Sequence, residues 1–289
     1  MRPTRRRFLA IAAGFAATPA MAQRHSWRGR AFGAEIAIVL QGSRAQTGPA
    51  LQAAQRVIAE VEAMFSLYQP SDLVRLNRAG WLVPAPRFLA LMQAADRAHR
   101  LTGGLFDPTV QPLWSALSRG EDPAAAAALI GWDRLRFSAE DIRLAPGQAL
   151  TFNGIAQGFA TDLVAEALAA QGVDRTLINI GEFRAGGGPY RLGLADPLHG
   201  ALGAISLSDG AVATSSPLAT PLGETGHILH PRARPLWSSV TVEAETAVLA
   251  DALSTALVLA PLEQVREVRR AVGVRRVLLV DPAGDLTSL

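Results

Sequence analysis

An aspartate and a threonine stand four residues apart in an otherwise apolar stretch near the C-terminal end of the chain. Residues 246–260 read TAVLADALSTALVLA, which predicts a buried helix with Asp251 and Thr255 on one face. A carboxylate in such a helix is costly unless it is paired or binds a metal. With a nearby backbone carbonyl, these two side chains form a set of hard oxygen ligands that suits Mg²⁺. The structural alternative is that Asp251 caps a backbone group or pairs with an arginine, while Thr255 bonds back to its own helix.

A histidine in a glycine-rich loop is the second candidate for chemistry. His227 follows Gly226 and precedes Ile228, and its imidazole could act as a general base or hold a phosphate. The alternative is a ring that only bonds to the backbone of its own loop. His230 lies three residues further on, but the other histidines follow no ligand pattern and the chain has no cysteine, so we do not expect zinc.

The stretch LTFNGIAQGFATD, residues 150–162, has glycines between an apolar run and a helical pattern. This arrangement is typical of a strand that enters a tight turn and then a helix N-terminus, where backbone N–H groups can bind an anion. It matches neither the dinucleotide fingerprint nor the P-loop. Ordinary turn chemistry is the alternative. The stretch alone does not decide between a turn and an anion site, because that depends on which residues from elsewhere in the chain lie beside it.

Helices and strands alternate irregularly along the chain. This mixture of hairpins and helices predicts an α+β fold rather than a doubly wound parallel sheet. We expect one compact catalytic unit over residues 23–289, with two subdomains as an open alternative. The predicted helices cover residues 49–68, 86–101, 157–171, 246–260 and 261–272, and the main predicted strands cover 31–40, 176–180, 190–195, 204–207, 238–243 and 275–280.

The composition excludes several classes of function. The chain has 289 residues, no lysine and no cysteine, and its net charge is only +3. Its arginines are scattered beyond the N-terminus, so no basic stripe with interleaved aromatic residues points to a nucleic acid. The absence of cysteine excludes disulfides and thiolate chemistry.

The first 22 residues have the features of an export signal. Arg5, Arg6 and Arg7 precede Phe8-Leu9 and a short apolar run, and Ala20-Met21-Ala22 supplies the small residues of a cleavage site. Twin arginines before Phe-Leu indicate the twin-arginine pathway. We therefore expect cleavage after Ala22, a periplasmic protein, and no stable membrane span in the mature chain, because the apolar run is shorter than the ~20 residues that a bilayer requires.

Seven motifs occur in an order and spacing that resemble the FAD:protein FMN transferase family, often called ApbE. The resemblance extends from about Phe32 to Val280, almost the whole chain after residue 22. The motifs are Ser66-x-Tyr68 with Ser71-Asp72-Leu73 and Leu76-Asn77, GGLFDPTV at 103–110, GIAQGFATD at 154–162, NIGE at 179–182, ATS at 213–215, HILHPR at 227–232, and ADALST at 250–255.

The resemblance implies an activity. Members of this family bind FAD, split its diphosphate with the help of Mg²⁺, and transfer FMN to a Thr or Ser hydroxyl of a target protein with release of AMP. The acceptors expected here are flavoproteins of periplasmic or membrane redox systems. Two alternatives stay open: a pyrophosphatase that hydrolyses FAD to FMN and AMP, and a flavin-binding protein without catalysis.

The resemblance also implies roles for individual residues and a fold of mixed sheets flanked by helices. Asp251 and Thr255 correspond to the metal ligands, together with a main-chain carbonyl at Gly154 or Ala156. His227 corresponds to the base for the incoming hydroxyl, which makes His227 and Asp251 the expected catalytic residues. The expected flavin contacts are Phe32, Tyr68, Leu105, Phe106, Asp107, Thr151, Gln157, His227 and Ile228.

The chain departs from the family pattern at three places. Gln157 stands where relatives often have lysine, and the usual N-x-G-G-D is here Asn179-x-Gly181-Glu182-Phe183, so the acidic position is shifted or replaced. The loop after His227 lacks the Asp, Thr and Gly that usually follow. Residues 209–214, DGAVAT, look like the acceptor motif that such enzymes modify, but we interpret them as a wall of the pocket.

Overall fold

The computed structural model describes residues 23–223 and 226–289, so the predicted export signal lies outside the described residues. Thirteen strands occur there. In chain order they are β1 Arg24–Ala31, β2 Ala34–Gln41, β3 Trp81–Leu82, β4 Arg136–Phe137, β5 Ile142–Arg143, β6 Thr176–Asn179, β7 Phe183–Gly186, β8 Tyr190–Asp196, β9 Gly200–Leu207, β10 Gly210–Ser215, β11 Ser239–Ala244, β12 Val274–Val280 and β13 Leu286–Ser288.

Eight α-helices accompany the strands within the same described ranges. They are α1 Arg44–Phe65, α2 Asp72–Ala79, α3 Pro86–Leu101, α4 Gln111–Arg119, α5 Pro123–Ala127, α6 Ala156–Ala169, α7 Ala247–Leu257 and α8 Leu262–Val268. Among these helices, none combines the length and the apolar character that crossing a lipid bilayer requires.

One large antiparallel sheet organises the molecule. Its eight strands lie in the order β1-β2-β6-β7-β10-β11-β12-β13, and every neighbouring pair is antiparallel. A three-stranded sheet, β3-β5-β4, and the β8–β9 hairpin are separate from it. The predicted α+β class, with sheets flanked by helices, is therefore confirmed.

The two faces of the large sheet are buried by different partners. Side chains alternate along a strand, and in β10 Ala211 and Ala213 join the core beneath α7 and α8 while Val212 joins the core beneath the β8–β9 hairpin. In β6, Ile178 faces the core of α1 and α6, and Leu177 faces the hairpin. All three core clusters contact the same sheet.

Most predicted helices are confirmed, with shifted ends. Helix α3 spans the predicted residues 86–101, and α6 and α7 begin within one residue of their predicted starts. Helix α1 starts at Arg44 and not at Pro49. Proline was expected in the first turn, but here it removes one hydrogen bond within a helix whose buried face continues through Thr47 and Ala50.

Candidate active site

Helices α6 and α7 approach each other closely, and this contact supports the site. A Cβ atom on Gly158 would lie 2.3 Å from the carbonyl oxygen of Ala247 and 2.8 Å from the Cβ of Asp251. Only glycine allows the first turn of α6 to lie against α7 at this distance. The second glycine of the 150–162 stretch is therefore required for helix packing, not for anion binding alone.

Each of these two helices supplies a carboxylate to the N-terminal part of the other. Asp162 of α6 accepts hydrogen bonds from the backbone N–H groups of Ala247 (2.8 Å) and Val248 (2.9 Å), the first residues of α7, and it also pairs with Arg184. In return, Asp251 Oδ2 accepts the N–H of Gly158 at 2.9 Å. Unpaired N–H groups at a helix start carry partial positive charge, so each carboxylate stabilises the opposite helix.

We expect Asp162→Ala to lower the free energy of unfolding by roughly 3 kcal/mol, because it removes a helix cap and leaves a half-buried Arg184 without its anion. Thermal or urea unfolding measures this change. Glu60→Ala is the matched control, since Glu60 forms an exposed pair with Arg87, and such pairs contribute about 0–1 kcal/mol. Equal losses in the two variants would contradict the capping role of Asp162.

Asp251 lies where the sequence places it, in the middle of a buried helix, and it is 3% exposed. Burial raises the pKa of Asp251 to about 7, although the hydrogen bond from Gly158 favours the ionised form. No ion pair within residues 23–223 and 226–289 involves Asp251, so the alternative of an arginine partner is wrong for that part of the chain. The capping alternative is realised in part, through Gly158.

Thr255 and Gly154 lie side by side. A Cβ on Gly154 would stand 3.0 Å from Thr255 Oγ1, so any larger residue would fill the space beside the threonine hydroxyl. Ser215 Oγ lies 3.2 Å from the same hydroxyl. Asp251 and Thr255 share one face of α7, so a carboxylate, a hydroxyl and the backbone of Gly154 border the same cavity. This hard-oxygen set fits a divalent cation such as Mg²⁺.

A further carboxylate borders the cavity besides Asp107 and Asp251, and the sequence predicted no role for it. Glu182 is 7% exposed, and its Oε2 accepts the backbone N–H of Thr214 at 3.3 Å. Burial raises the pKa of Glu182 well above its usual range, and the negative charge of Asp251 raises it further. The only sequence signal for this residue was its unusual position after Asn179 and Gly181.

Two buried polar groups of the cavity have no hydrogen-bond partner among the described residues. They are Gln157 Nε2 and Ser216 Oγ. Gly181 has a φ of +96°, and a Cβ there would lie 2.4 Å from Gln157 Nε2, so the glycine makes room for this amide. Because buried polar groups are nearly always satisfied in native proteins, these two are available to a ligand.

The ring of His227 is held by the backbone of a neighbouring turn. Its Nδ1 lies 2.8 Å from the carbonyl oxygen of Pro217, and its backbone N–H donates to the same oxygen at 3.1 Å. A carbonyl oxygen only accepts, so Nδ1 carries the proton and Nε2 is the basic nitrogen. The ring of His227 therefore does bond to the backbone, as the structural alternative predicts. The same hydrogen bond holds the ring in the orientation that a general base requires.

Two loops at the cavity are fixed by short polar side chains. Asp107 accepts from the backbone N–H (2.8 Å) and the hydroxyl (2.6 Å) of Thr109 and from the N–H of Trp132 (3.3 Å). Asn77 exchanges two hydrogen bonds with the backbone of Leu150, at 2.9 and 2.7 Å. These contacts explain two polar positions of the motifs as supports for the loops.

The structure brings nearly all of the predicted site residues to one cavity. Its wall also contains Glu182, Trp114 and the hydroxyl cluster Thr214, Ser215 and Ser216. Of residues 209–214, which were interpreted as a pocket wall, only Thr214 lines the cavity. The predicted residues that line the cavity are Tyr68, Leu105, Phe106, Asp107, Thr151, Gly154, Gln157, His227, Ile228, Asp251 and Thr255.

Phe32 is the exception. It lies in the turn between β1 and β2 with a φ of +52°, and its N–H donates to Glu62 Oε1 at 2.6 Å. Its ring packs against the core of α1 and does not line the cavity. Contact between Phe32 and a flavin stays a prediction. Tyr68 differs, since it lines the cavity and is 71% exposed, which leaves an aromatic face for a planar ligand.

A comparison with protein-family models and a comparison with known proteins agree with each other. Residues 32–277 match the model of the ApbE family. An FAD:protein FMN transferase of Rhodobacter capsulatus is 31% identical over 256 residues, which cover 76% of this chain and 48% of that protein. The chain thus spans about half the length of that relative.

Solved structures share the fold. The Vibrio cholerae flavin transferase ApbE superposes with a TM-score of 0.81 at 24% identity, covering 93% of this chain and 97% of the other. The Thermotoga maritima ApbE protein gives a TM-score of 0.82 at 25% identity, covering 92% and 96%.

Proposed function

This chain belongs to the ApbE family, and from that membership we propose that it is an FAD:protein FMN transferase that moves FMN from FAD to a Thr or Ser hydroxyl of a target protein. The observation that carries the proposal is a single cavity with three features. They are a histidine whose ring is held by the backbone, a carboxylate and a hydroxyl that suit a divalent cation, and an exposed aromatic face. His227, Asp251 with Thr255, and Tyr68 supply these three features.

Asp251, Thr255 and the backbone of Gly154 would hold Mg²⁺, which when bound neutralises the charge of the diphosphate as AMP leaves. The backbone carbonyl of Gly154 is our choice over that of Ala156, because Gly154 adjoins the Thr255 hydroxyl. Gln157 and Ser216 have unsatisfied polar atoms that would bind FAD. Tyr68, Leu105 and Ile228 would contact its rings.

The proposed transfer is a single displacement at phosphorus. The hydroxyl oxygen of the acceptor forms a bond to the phosphorus of the FMN half, and the bond from that phosphorus to the bridging oxygen breaks. His227 Nε2 accepts the hydroxyl proton, and AMP departs with the bridging oxygen.

Incubation of the protein with FAD and Mg²⁺, with and without an acceptor peptide containing Thr, tests this proposal. AMP together with a peptide whose mass has increased by FMN supports transfer. AMP with free FMN alone would instead indicate a pyrophosphatase, and tight FAD binding without AMP would indicate a flavin-binding protein. Intact mass of the enzyme itself reports on residues 209–214, where we expect no FMN adduct.

We further propose that the protein is exported through the twin-arginine pathway and acts in the periplasm on flavoproteins of periplasmic or membrane redox systems. The supporting feature is the sequence of residues 4–22. With a reporter fused after Ala22, replacing Arg5 and Arg6 together by lysine should abolish export. The control is a longer fusion in which Arg28, which lies after the predicted cleavage site, is replaced by lysine, and this fusion should still be exported. Equal export of both would exclude this pathway.

A further inference from the structure

Glu182 is turned into the protein by the tight connection between β6 and β7. Asn179 Oδ1 accepts the N–H of Gly181 at 3.0 Å, and Gly181 takes a positive φ of +96° that favours glycine. The next residue, Glu182, is 7% exposed and binds the backbone N–H of Thr214. The carboxyl group of Glu182 is therefore held against β10 and does not extend into solvent.

Short chains of contacts connect Glu182 with both proposed cation ligands, Asp251 and Thr255. Thr214, which it binds, precedes Ser215, and Ser215 Oγ lies 3.2 Å from Thr255 Oγ1. On the other side, Gly181 abuts Gln157, and the next residue of α6, Gly158, donates to Asp251. Glu182, Asp251 and Thr255 all line the same cavity.

Two buried carboxylates that share a cavity stay ionised only when a cation neutralises them. None of the ion pairs found in the described part of the chain includes Glu182 or Asp251. The nearby amide of Gln157 is about nine-tenths buried, and its Nε2 has no partner among the described residues. A neutral amide does not compensate ionised carboxylates, so Glu182 and Asp251 can be ionised together only when a cation lies between them.

We propose that Glu182 is an additional carboxylate of the cation site, so that Glu182 and Asp251 together bind a divalent cation before FAD arrives. This inference rests on the proposed function, since it concerns the same cation. A site with one carboxylate depends on the substrate diphosphate for the remaining negative charge. A second carboxylate supplies that charge from the protein, which raises the affinity for the cation alone.

Titration of the FAD-free protein with Mn²⁺, followed by electron paramagnetic resonance of the free ion, tests the proposal. The wild-type protein should bind one Mn²⁺ that Mg²⁺ displaces. Glu182→Gln should weaken this binding by about 10–100-fold, and Glu182→Asp, which keeps the charge, should weaken it less. Glu166→Gln is the control, because Glu166 is an exposed residue of α6, and it should bind Mn²⁺ as the wild type does.

Thermal unfolding provides a second readout and verifies that the variant folds. Without a cation, Glu182→Gln should unfold at a higher temperature than the wild type, because it replaces a buried carboxyl group, whose ionised form Asp251 and burial both disfavour, with a neutral amide. Saturating Mg²⁺ should raise the unfolding temperature of the wild type more than that of the variant.

Failure of this inference is distinguishable from failure of the proposed function. If the wild type releases AMP from FAD but Glu182→Gln binds Mn²⁺ as tightly, or if the FAD-free wild type binds none, the role of Glu182 is wrong and the transferase proposal stands. If the wild type binds Mn²⁺ through Glu182 but produces no AMP, the cation site stands and the proposed reaction is wrong.

Discussion

Asp251→Asn should reduce release of AMP from FAD by roughly 1,000-fold, equivalent to about 4 kcal/mol of transition-state stabilisation. The side chain is nearly isosteric and keeps an oxygen that can accept the N–H of Gly158, so the packing of α6 on α7 should persist. What disappears is the negative charge that would hold the cation against the diphosphate.

The measurement is the initial rate of AMP release at saturating Mg²⁺, together with Mn²⁺ binding and thermal unfolding of the same variant. Asp174→Asn is the matched control, because Asp174 is exposed and lies outside the cavity. Thr255→Val should cause a smaller loss, since it removes a neutral ligand and keeps the shape. Turnover close to the wild-type rate in Asp251→Asn would show that Asp251 is not a metal ligand.

His227→Gln should reduce transfer of FMN to an acceptor peptide by about 10²–10⁴-fold, the usual contribution of a general base. Affinity for FAD should fall less than the rate of transfer does, because glutamine is polar and of similar length. The pH dependence of transfer should also lose the ionisation of the base, which a purely structural role for the ring would not remove.

The neighbouring His230 offers a control for this experiment. Its ring accepts the N–H of Arg232 at 3.2 Å, and it does not line the cavity. His230→Gln should therefore transfer FMN at nearly the wild-type rate. If both histidine variants lose transfer equally, or if His227→Gln retains it, then another group accepts the proton.

Local patterns in the sequence were sufficient to predict the α+β class, helices α3, α6 and α7, and the shared face of Asp251 and Thr255. These features depend on periodicity within one element, which burial of a single face enforces. Several elements were missed, and two of them show the reason. Strand β1 has exposed arginines in place of a regular apolar pattern, and α2 has eight residues of which only Leu73 and Leu76 are buried.

The family resemblance and the candidacy of Asp251, Thr255 and His227 could be predicted from the sequence, because each follows from a short motif. How these groups support one another follows from the packing of distant elements. Asp162 reaches Ala247 across 85 positions, and Gly158 reaches Asp251 across 93. The inward turn of Glu182 likewise depends on Thr214, 32 positions away. Such contacts arise when distant elements pack on a common sheet, and no local periodicity encodes which carboxylate will meet which backbone N–H.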